Sequence, residues 1–128
     1  MSRSRRFDHV DLRVRNLADA RPFYEMLLPA LGFTRNASIP GWYTCEAEDS
    51  DGATEFFGVT ESPSHMANEC RVAFWVDSRE EVDRLAALVR QAGARNIEGP
   101  LYEEPQYYAV FFEDASGNRL EICNRENR

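Results

Sequence analysis

The sequence lacks the features that mark several large classes of protein. No apolar run is long enough for a signal peptide or a membrane span, so a cytoplasmic protein is the default expectation. The three cysteines are far apart and form no C-x-x-C pair, which disfavours a disulfide framework and a structural zinc site. No G-x-S-x-G, phosphate-binding glycine loop or H-E-x-x-H occurs. Motifs therefore give no support for a hydrolase, a kinase or a zincin.

Basic residues are also scarce, since 15 Lys and Arg stand against 22 Asp and Glu for a net charge of -7. Without a compensating basic patch, we expect no nucleic-acid partner and no membrane partner. The chain has 128 residues, 43% of them hydrophobic, which is typical of one globular domain over residues 1–128. Cys45, Cys70 and Cys123 are predicted to be buried thiols.

A strand followed by an amphipathic helix occurs twice along the chain. Residues 7–14 alternate polar and apolar side chains, and the helix that follows has an Asn16 N-cap and ends at Gly32. Residues 71–76 predict a second such strand, followed by a helix that starts at a Ser78 capping box. Three strands with hairpin-type turns are predicted after each helix. The pattern indicates an α+β fold of two tandem βαβββ modules, at about residues 6–61 and 69–125.

The two copies place four residues in equivalent pairs. His9 matches Arg71 on the first strand of each module, and Phe56 matches Glu121 on the last. Aliphatic residues alternate with these four and are predicted to pack on the helices, so the four point to the helix-free face of each sheet. A polar face is explained either by simple exposure to solvent or by a ligand cavity formed when the sheet curls.

Three segments carry a resemblance to a known family. They are F-D-H-V-D-L-R-V-x-N-L…F-Y…L-G-F at residues 7–33, R-V-A-F-x-V-D-S-R-E-E-V-D at 71–83 and Y-Y-A-V-F-F-x-D-x-x-G-N-x-L-E-I at 107–122. The sequence resembles the vicinal oxygen chelate superfamily, which contains glyoxalase I enzymes, extradiol dioxygenases and bleomycin-resistance proteins. This resemblance implies sheets that curl around a cleft shared by the two modules, a small-molecule ligand and a homodimer.

In metal-dependent members of that family, the ligands come from the first and last strands of the modules, which here are His9, Phe56, Arg71 and Glu121. His9 and Glu121 suit a divalent zinc, iron, nickel or manganese ion and are the candidate metal ligands and catalytic residues. Phe56 and Arg71 cannot coordinate a cation, so a site without a metal ion is the alternative prediction. His65, in the loop between the modules, is a candidate third ligand or a solvated loop histidine.

Simpler interpretations of the two candidate ligands stay open. His9 is expected either to act in the site or to form a hydrogen bond with Asp11 or Glu121. An ion pair with Arg71 is the favoured alternative role of Glu121.

The other candidate substrate-binding residues are one cation and several aromatic side chains. Arg71 offers a guanidinium suited to a carboxylate or a phosphate. One of the tyrosines at 107 and 108 is expected to face the cleft, and Trp42 and Tyr43 are expected to close one end of it or to meet a dimer partner. The aromatics are candidates for stacking on a flat ligand or are plain packing residues. The predicted substrate-binding set is Arg71, Trp75, Phe56, Tyr107, Tyr108 and Phe111.

Three functions remain open from the sequence. The first is an enzyme with metal-dependent lyase, isomerase or dioxygenase chemistry. A glyoxalase-like lyase or a dioxygenase-like enzyme is the expected type. The second is a metal-free protein that sequesters or senses a small molecule with Arg71 and aromatic side chains. The third is a dimerisation or sensing module without chemistry. Arg71 and Phe56 at ligand positions argue against the first as the family usually performs it.

Overall fold

The computed structural model describes residues 6–50 and 52–127, and for residues 53 and 54 the backbone alone. Within these ranges no helix is long and apolar enough to cross a membrane. The predicted order of two βαβββ modules is confirmed. Module 1 comprises β1 (His9–Val14), α1 (Leu17–Ala30), β2 (Phe33–Asn36), β3 (Trp42–Asp49) and β4 (Gly52–Glu61). Module 2 comprises β5 (Arg71–Trp75), α2 (Arg79–Gln91), β6 (Arg95–Glu104), β7 (Tyr107–Glu113) and β8 (Arg119–Arg125).

Each module forms one four-stranded mixed sheet with the same topology. The strand order is β1-β4-β3-β2 in module 1 and β5-β8-β7-β6 in module 2. The first strand pairs in parallel with the last strand, and the remaining pairs are antiparallel. A parallel pair needs a long crossover connection, and the helix and two intervening strands of each module provide it. The first strand is therefore an edge of its sheet.

The helices begin where the sequence predicts them. The side chain of Asn16 accepts a hydrogen bond from the backbone N–H of Asp19 at 2.9 Å, and Ser78 caps α2 by accepting from the N–H of Glu81 at 3.1 Å. These bonds satisfy backbone donors that a helix start leaves unpaired. The capping box is incomplete, because the Glu81 carboxylate pairs with Arg84 at 2.8 Å instead of turning back to the cap.

The apolar core lies on the helix side of both sheets and joins the modules. Helix α1 packs on α2, and the buried ring of Phe57 in β4 lies 5.3 Å from that of Phe74 in β5. Phe23 of α1 similarly contacts Phe112 of β7, with ring centroids 6.2 Å apart. A single cluster of buried residues spans both modules. The modules are thus held together by their helix sides, which leaves one helix-free face on each sheet.

A buried turn gives the modules a second joint. Asp114, which is 2% exposed, accepts hydrogen bonds from the backbone N–H groups of Ser116 and Asn118 and from the amide of Asn118, each at 2.9 Å. The hydroxyl of Tyr24 in α1 donates to the same carboxylate at 2.6 Å. Burial, with the neighbouring carboxylate, raises the pKa of Tyr24 well above its ordinary value. The D-x-x-G-N segment of the sequence is therefore a structural connector between the modules.

His65 belongs to this joint. Its Nε2 lies 2.9 Å from Oδ1 of Asn118, whose amide nitrogen donates to the backbone carbonyl of Arg13 at 2.8 Å. Because the amide orientation is set by the bonds it donates, Nε2 of His65 is the donor. Its predicted role as a third metal ligand is not supported, since the ring is engaged between the modules.

The cysteine prediction is correct for two residues and wrong for one. Cys45 and Cys123 are buried, whereas Cys70 is exposed. Cys70 lies in the connection just before β5, where its backbone N–H donates to the side chain of Asn68 at 2.8 Å. A connecting segment offers no sheet or helix to cover a thiol.

Candidate functional site

The helix-free face of module 2 carries most of the predicted site residues. Side chains alternate along each strand, and residues directly opposite each other on neighbouring strands share a face. Arg71 lies opposite Arg119, and Phe111 lies opposite Glu121 on one side and Glu98 on the other. This face, called here the Arg71 face, includes Arg71, Ala73, Trp75, Glu98, Glu104, Tyr107, Phe111, Arg119, Glu121 and Arg125.

Arg71 lies exposed at the edge of this face without a charged partner. Its guanidinium carbon lies 4.8 Å from the centroid of the Phe111 ring, a cation–π contact. Within the described ranges, no carboxylate forms an ion pair with Arg71 or with the neighbouring Arg119. The expected ion pair between Arg71 and Glu121 is therefore wrong. The aromatic ring, not a carboxylate, positions the guanidinium, and its hydrogen-bond donors stay available to a ligand.

Glu121 is a buried carboxylate, with 5% of its surface exposed. The hydroxyl of Tyr107 donates a hydrogen bond to it, and the guanidinium of Arg125 lies over the Tyr107 ring at 3.9 Å. Burial, together with the Glu121 carboxylate, raises the pKa of Tyr107 above its ordinary value. Tyr107 is thus kept protonated as the donor that satisfies Glu121.

Two shallow depressions lie on the Arg71 face. One, of about 360 Å³, is lined by Arg71, Glu98, Glu103, Glu104, Tyr107 and Phe111. The other, of about 220 Å³, is lined by Arg71, Asn96, Glu98, Phe111, Phe112, Glu113 and Arg119. Arg71, Glu98 and Phe111 line both. These volumes fall at or below the lower end of the range for small-molecule sites, so the face suits a small ligand.

The helix-free face of module 1 carries a cluster of aromatic rings beside its charged side chains. The imidazole of His9 stacks on the ring of Phe56, with centroids 4.4 Å apart and the planes at 4°. Trp42 meets Phe56 edge-on at 6.1 Å. The Nδ1 atom of His9 lies 2.8 Å from the carboxylate of Asp8. The expected hydrogen bond from His9 to Asp11 or Glu121 is therefore wrong. Asp11 instead pairs with Arg13 at 3.0 Å.

The register of the strands corrects one pair of equivalent residues. The first residue of β1 is His9 and that of β5 is Arg71, which places Asp11 and Ala73 in equivalent positions. Opposite Asp11 lies Gly58, and opposite Ala73 lies Glu121. The module 1 counterpart of Glu121 is therefore Gly58 and not Phe56. Sequence matching across the turns shifted the last strands by two residues, because the connections before them differ in length between the modules.

Trp42 occupies the space that a side chain at Gly58 would need. An ideal Cβ at Gly58 would lie 2.5 Å from Nε1 of Trp42, well inside van der Waals contact. This indole nitrogen is buried and has no hydrogen-bond partner in the described part of the chain. The position that carries a carboxylate in module 2 is thus filled in module 1 by an indole edge.

These residues do not fit a catalytic metal centre. The four positions that the resemblance and the register indicate are His9, Gly58, Arg71 and Glu121, and only two of them can donate to a cation. Among residues 6–50 and 52–127, no group of three or more His, Cys, Asp or Glu side chains is arranged to hold a metal ion. The two donors have separate partners: His9 lies against Asp8 and Phe56, and Glu121 accepts a hydrogen bond from Tyr107.

Three of the residues discussed from the sequence line neither of the two Arg71 depressions. Tyr108 is on the helix side, where its hydroxyl donates to Asp83 of α2 at 2.6 Å, and that hydrogen bond, with burial, raises its pKa to about 12. Tyr43 is also buried on the helix side, beneath Arg21 of α1. Trp75 lines a depression of about 420 Å³ to which both modules contribute, with Phe7, Phe33 and Phe74. The structure therefore does not bring these three to the Arg71 depressions.

Sequence reasoning missed three features of the two faces. Arg119 and Glu98 were not singled out, although Arg119 alternates with a buried neighbour on β8 and Glu98 with partly buried neighbours on β6, which is a signal for the helix-free face. No sequence pattern indicates the packing of Trp42 on Gly58, because it depends on the register between β3 and β4.

Comparisons with known proteins agree with this architecture. The profile of the Glyoxalase/Bleomycin resistance protein/Dioxygenase superfamily matches residues 6–122. A glyoxalase/bleomycin resistance protein from Albidiferax ferrireducens is similar in structure, with a TM-score of 0.78, 24% identity, and coverage of 93% of this chain and 98% of that one.

Two further solved structures have the same fold at low identity. A glyoxalase from Bacillus halodurans, described as putative, has a TM-score of 0.75 and 23% identity over 91% of this chain and 92% of its own. The fosfomycin resistance protein FosX from Mesorhizobium loti has a TM-score of 0.69 and 17% identity over 92% and 90%. A search of curated proteins finds no match.

Proposed function

We propose that this chain, which belongs to the Glyoxalase/Bleomycin resistance protein/Dioxygenase superfamily, binds a small planar anion on the Arg71 face without a metal ion. The observation that carries the proposal is the unpaired guanidinium of Arg71 held over the Phe111 ring at 4.8 Å. A cation with free donors beside an aromatic ring recognises a carboxylate or phosphate attached to a flat group. Sequestration or sensing of such a compound is the corresponding function.

Two further features support this role for Arg71. Arg119 lies on the neighbouring strand directly opposite Arg71 and also lines one of the depressions, so a second guanidinium is available to a ligand there. Neither arginine has an ion-pair partner among the residues that the structure describes. An anion bound between them would gain charge-assisted hydrogen bonds that no protein group supplies.

The chain's donor set is the reason that the proposal involves no metal. With a guanidinium at one ligand position and a glycine under an indole at another, His9 and Glu121 are two donors where a catalytic site normally has three. We therefore derive no step through a metal ion. A homodimer stays part of the proposal, because the helix-free faces carry exposed side chains such as Trp75, at 46% exposure.

A second candidate function is an enzyme that transfers a proton. Glu121 is buried on the same face as Arg71, and its hydrogen-bond donor is Tyr107. A carboxylate in such surroundings is a candidate acid or base for lyase or isomerase chemistry on an anion held by Arg71. NMR spectra of the ligand after long incubation separate the two functions, because a binding protein returns the ligand unchanged.

The test compares benzoate with benzamide, which have similar shapes but differ in charge. By isothermal titration calorimetry, benzoate should bind more tightly than benzamide. Arg71→Gln should weaken benzoate binding about 10-fold, or about 1.4 kcal/mol, and leave benzamide binding unchanged. Arg13→Gln is the matched control, since it removes an exposed guanidinium from the other helix-free face, and it should change neither affinity.

Three results would count against the proposal. The anion site would be contradicted if benzoate and benzamide bound with equal affinity. It would also be contradicted if Arg71→Gln weakened the binding of both probes equally. Benzoate binding that disappears after dialysis against EDTA and returns with zinc or manganese would show that a metal is required.

A further inference from the structure

The charges on the two edge strands of the Arg71 face are of opposite sign. The edge strand β5 and its neighbour β8 contribute the cations Arg71, Arg119 and Arg125, and β8 also contributes the buried carboxylate of Glu121. The next strand, β7, contributes the aromatic rings of Tyr107 and Phe111 and, at its end, Glu113, and the far edge strand β6 contributes the carboxylates of Glu98 and Glu104. Since neighbouring strands lie about 4.8 Å apart, the positive and negative edges are separated by the width of an aromatic strip.

The two edges do not neutralise each other. Glu98 lies opposite Phe111 and is exposed, and with Arg71 it lines both depressions. No ion pair joins Arg71 to Glu98 in the described chain, and none engages Glu104, which lies opposite Tyr107. Arg71 and Glu98 thus border the same depressions without forming an ion pair.

From this arrangement we propose that the ligand is a flat zwitterion, which carries an anionic group and an ammonium or similar cation on an aromatic or other planar frame. Its anionic group contacts Arg71, its planar frame lies along Phe111 and Tyr107, and its cationic group contacts Glu98. This inference rests on the proposed function and adds the cationic half of the ligand. A simple anion would leave Glu98 close to its own negative end, which is unfavourable.

Both depressions contain at least as many glutamates as arginines, so neither favours a ligand that carries negative charge alone. The larger depression includes one arginine and three glutamates, and the smaller one includes two arginines and two glutamates. Carboxylates that line an anion site disfavour the anion by like-charge repulsion, unless the ligand brings a cation of its own. Glu98 is therefore a specificity residue that selects the zwitterion over the anion.

The test uses three probes built on one ring: 4-(aminomethyl)benzoate as the zwitterion, 4-methylbenzoate as the anion and 4-methylbenzylamine as the cation. Calorimetric titration of the full chain should show the zwitterion binding at least 10-fold more tightly than either singly charged probe. Glu98→Gln should lower the affinity for the zwitterion to within about 2-fold of that for the anion. The same variant should leave the anion's affinity unchanged or increased.

Glu69→Gln is the control for charge, because Glu69 is exposed in the connection before β5 and lines neither Arg71 depression. It should change none of the three affinities. Circular dichroism and thermal melting verify that the Glu98 variant is folded.

The outcomes separate this inference from the proposed function. If 4-methylbenzoate binds as tightly as the zwitterion and Arg71→Gln weakens both, the anion site stands and the zwitterion is wrong. If neither 4-methylbenzoate nor the zwitterion binds, both proposals fail. They also fail if Arg71→Gln changes the affinity for neither of these two probes. A zwitterion preference that persists in Glu98→Gln also contradicts the role given to Glu98.

Discussion

The two modules share a fold but differ at equivalent positions of their helix-free faces. Module 1 has the stacked rings of His9 and Phe56, with Trp42 packed on Gly58. Module 2 has an unpaired arginine and a buried carboxylate at the corresponding places, Arg71 and Glu121. The difference shows that a repeated fold carries no repeated chemistry, because the sheet and helix depend on the buried positions while the face depends on the alternating ones.

The largest expected loss of stability comes from a substitution in the buried turn that joins the modules. Asp114→Ala should destabilise the protein by about 3 kcal/mol or more, because Tyr24, Ser116 and Asn118 lose a shared buried acceptor. Urea unfolding followed by circular dichroism measures the change. Ser50→Ala, in the exposed turn of module 1, is the control and should cost less than about 0.5 kcal/mol. A similar cost for both would mean that the buried turn does not hold the modules together.

A smaller loss of stability is expected from a substitution at Gly58, the position equivalent to Glu121 of module 2. Gly58→Ala should cost about 1–3 kcal/mol, since its Cβ would lie 2.5 Å from Nε1 of Trp42. In a Trp42→Val background the same substitution should cost much less, and urea unfolding of the four proteins completes a double-mutant cycle. If Gly58→Ala costs the same in both backgrounds, Trp42 does not fill the position equivalent to Glu121.

The smallest effect concerns Tyr107. Its pKa is raised in the folded chain, so the neutral hydroxyl contributes stability at pH values below the unfolded pKa of about 10. That contribution should be lost as the pH rises from about 10 towards the folded pKa, at less than about 1 kcal/mol per pH unit because the ring is partly exposed.

Tyr107→Phe should therefore show a shallower fall in the free energy of unfolding between pH 10 and 11.5. Urea midpoints at several pH values measure this slope for both proteins. An identical slope in the variant would show that Tyr107 does not link stability to pH through its hydrogen bond to Glu121.

Much of the fold was predictable because its signals are local. Two-residue alternation identified β1 and β5, and the caps Asn16 and Ser78 located both helix starts. The site was predictable only as a set of faces. Arg71, Glu121, Tyr107 and Phe111 lie together as the alternation indicates, whereas Tyr108 turns to Asp83 on the helix side.

What the sequence by itself determined is the repeat, the order of the elements and the face on which each first-strand residue lies, since all three depend on periodicity along one segment. Tertiary structure alone decided that Gly58 is the counterpart of Glu121, that Trp42 covers it, and that Arg71 rests on Phe111 and not on Glu121. Such pairings depend on strand register and on competition among distant side chains, which a single segment does not record.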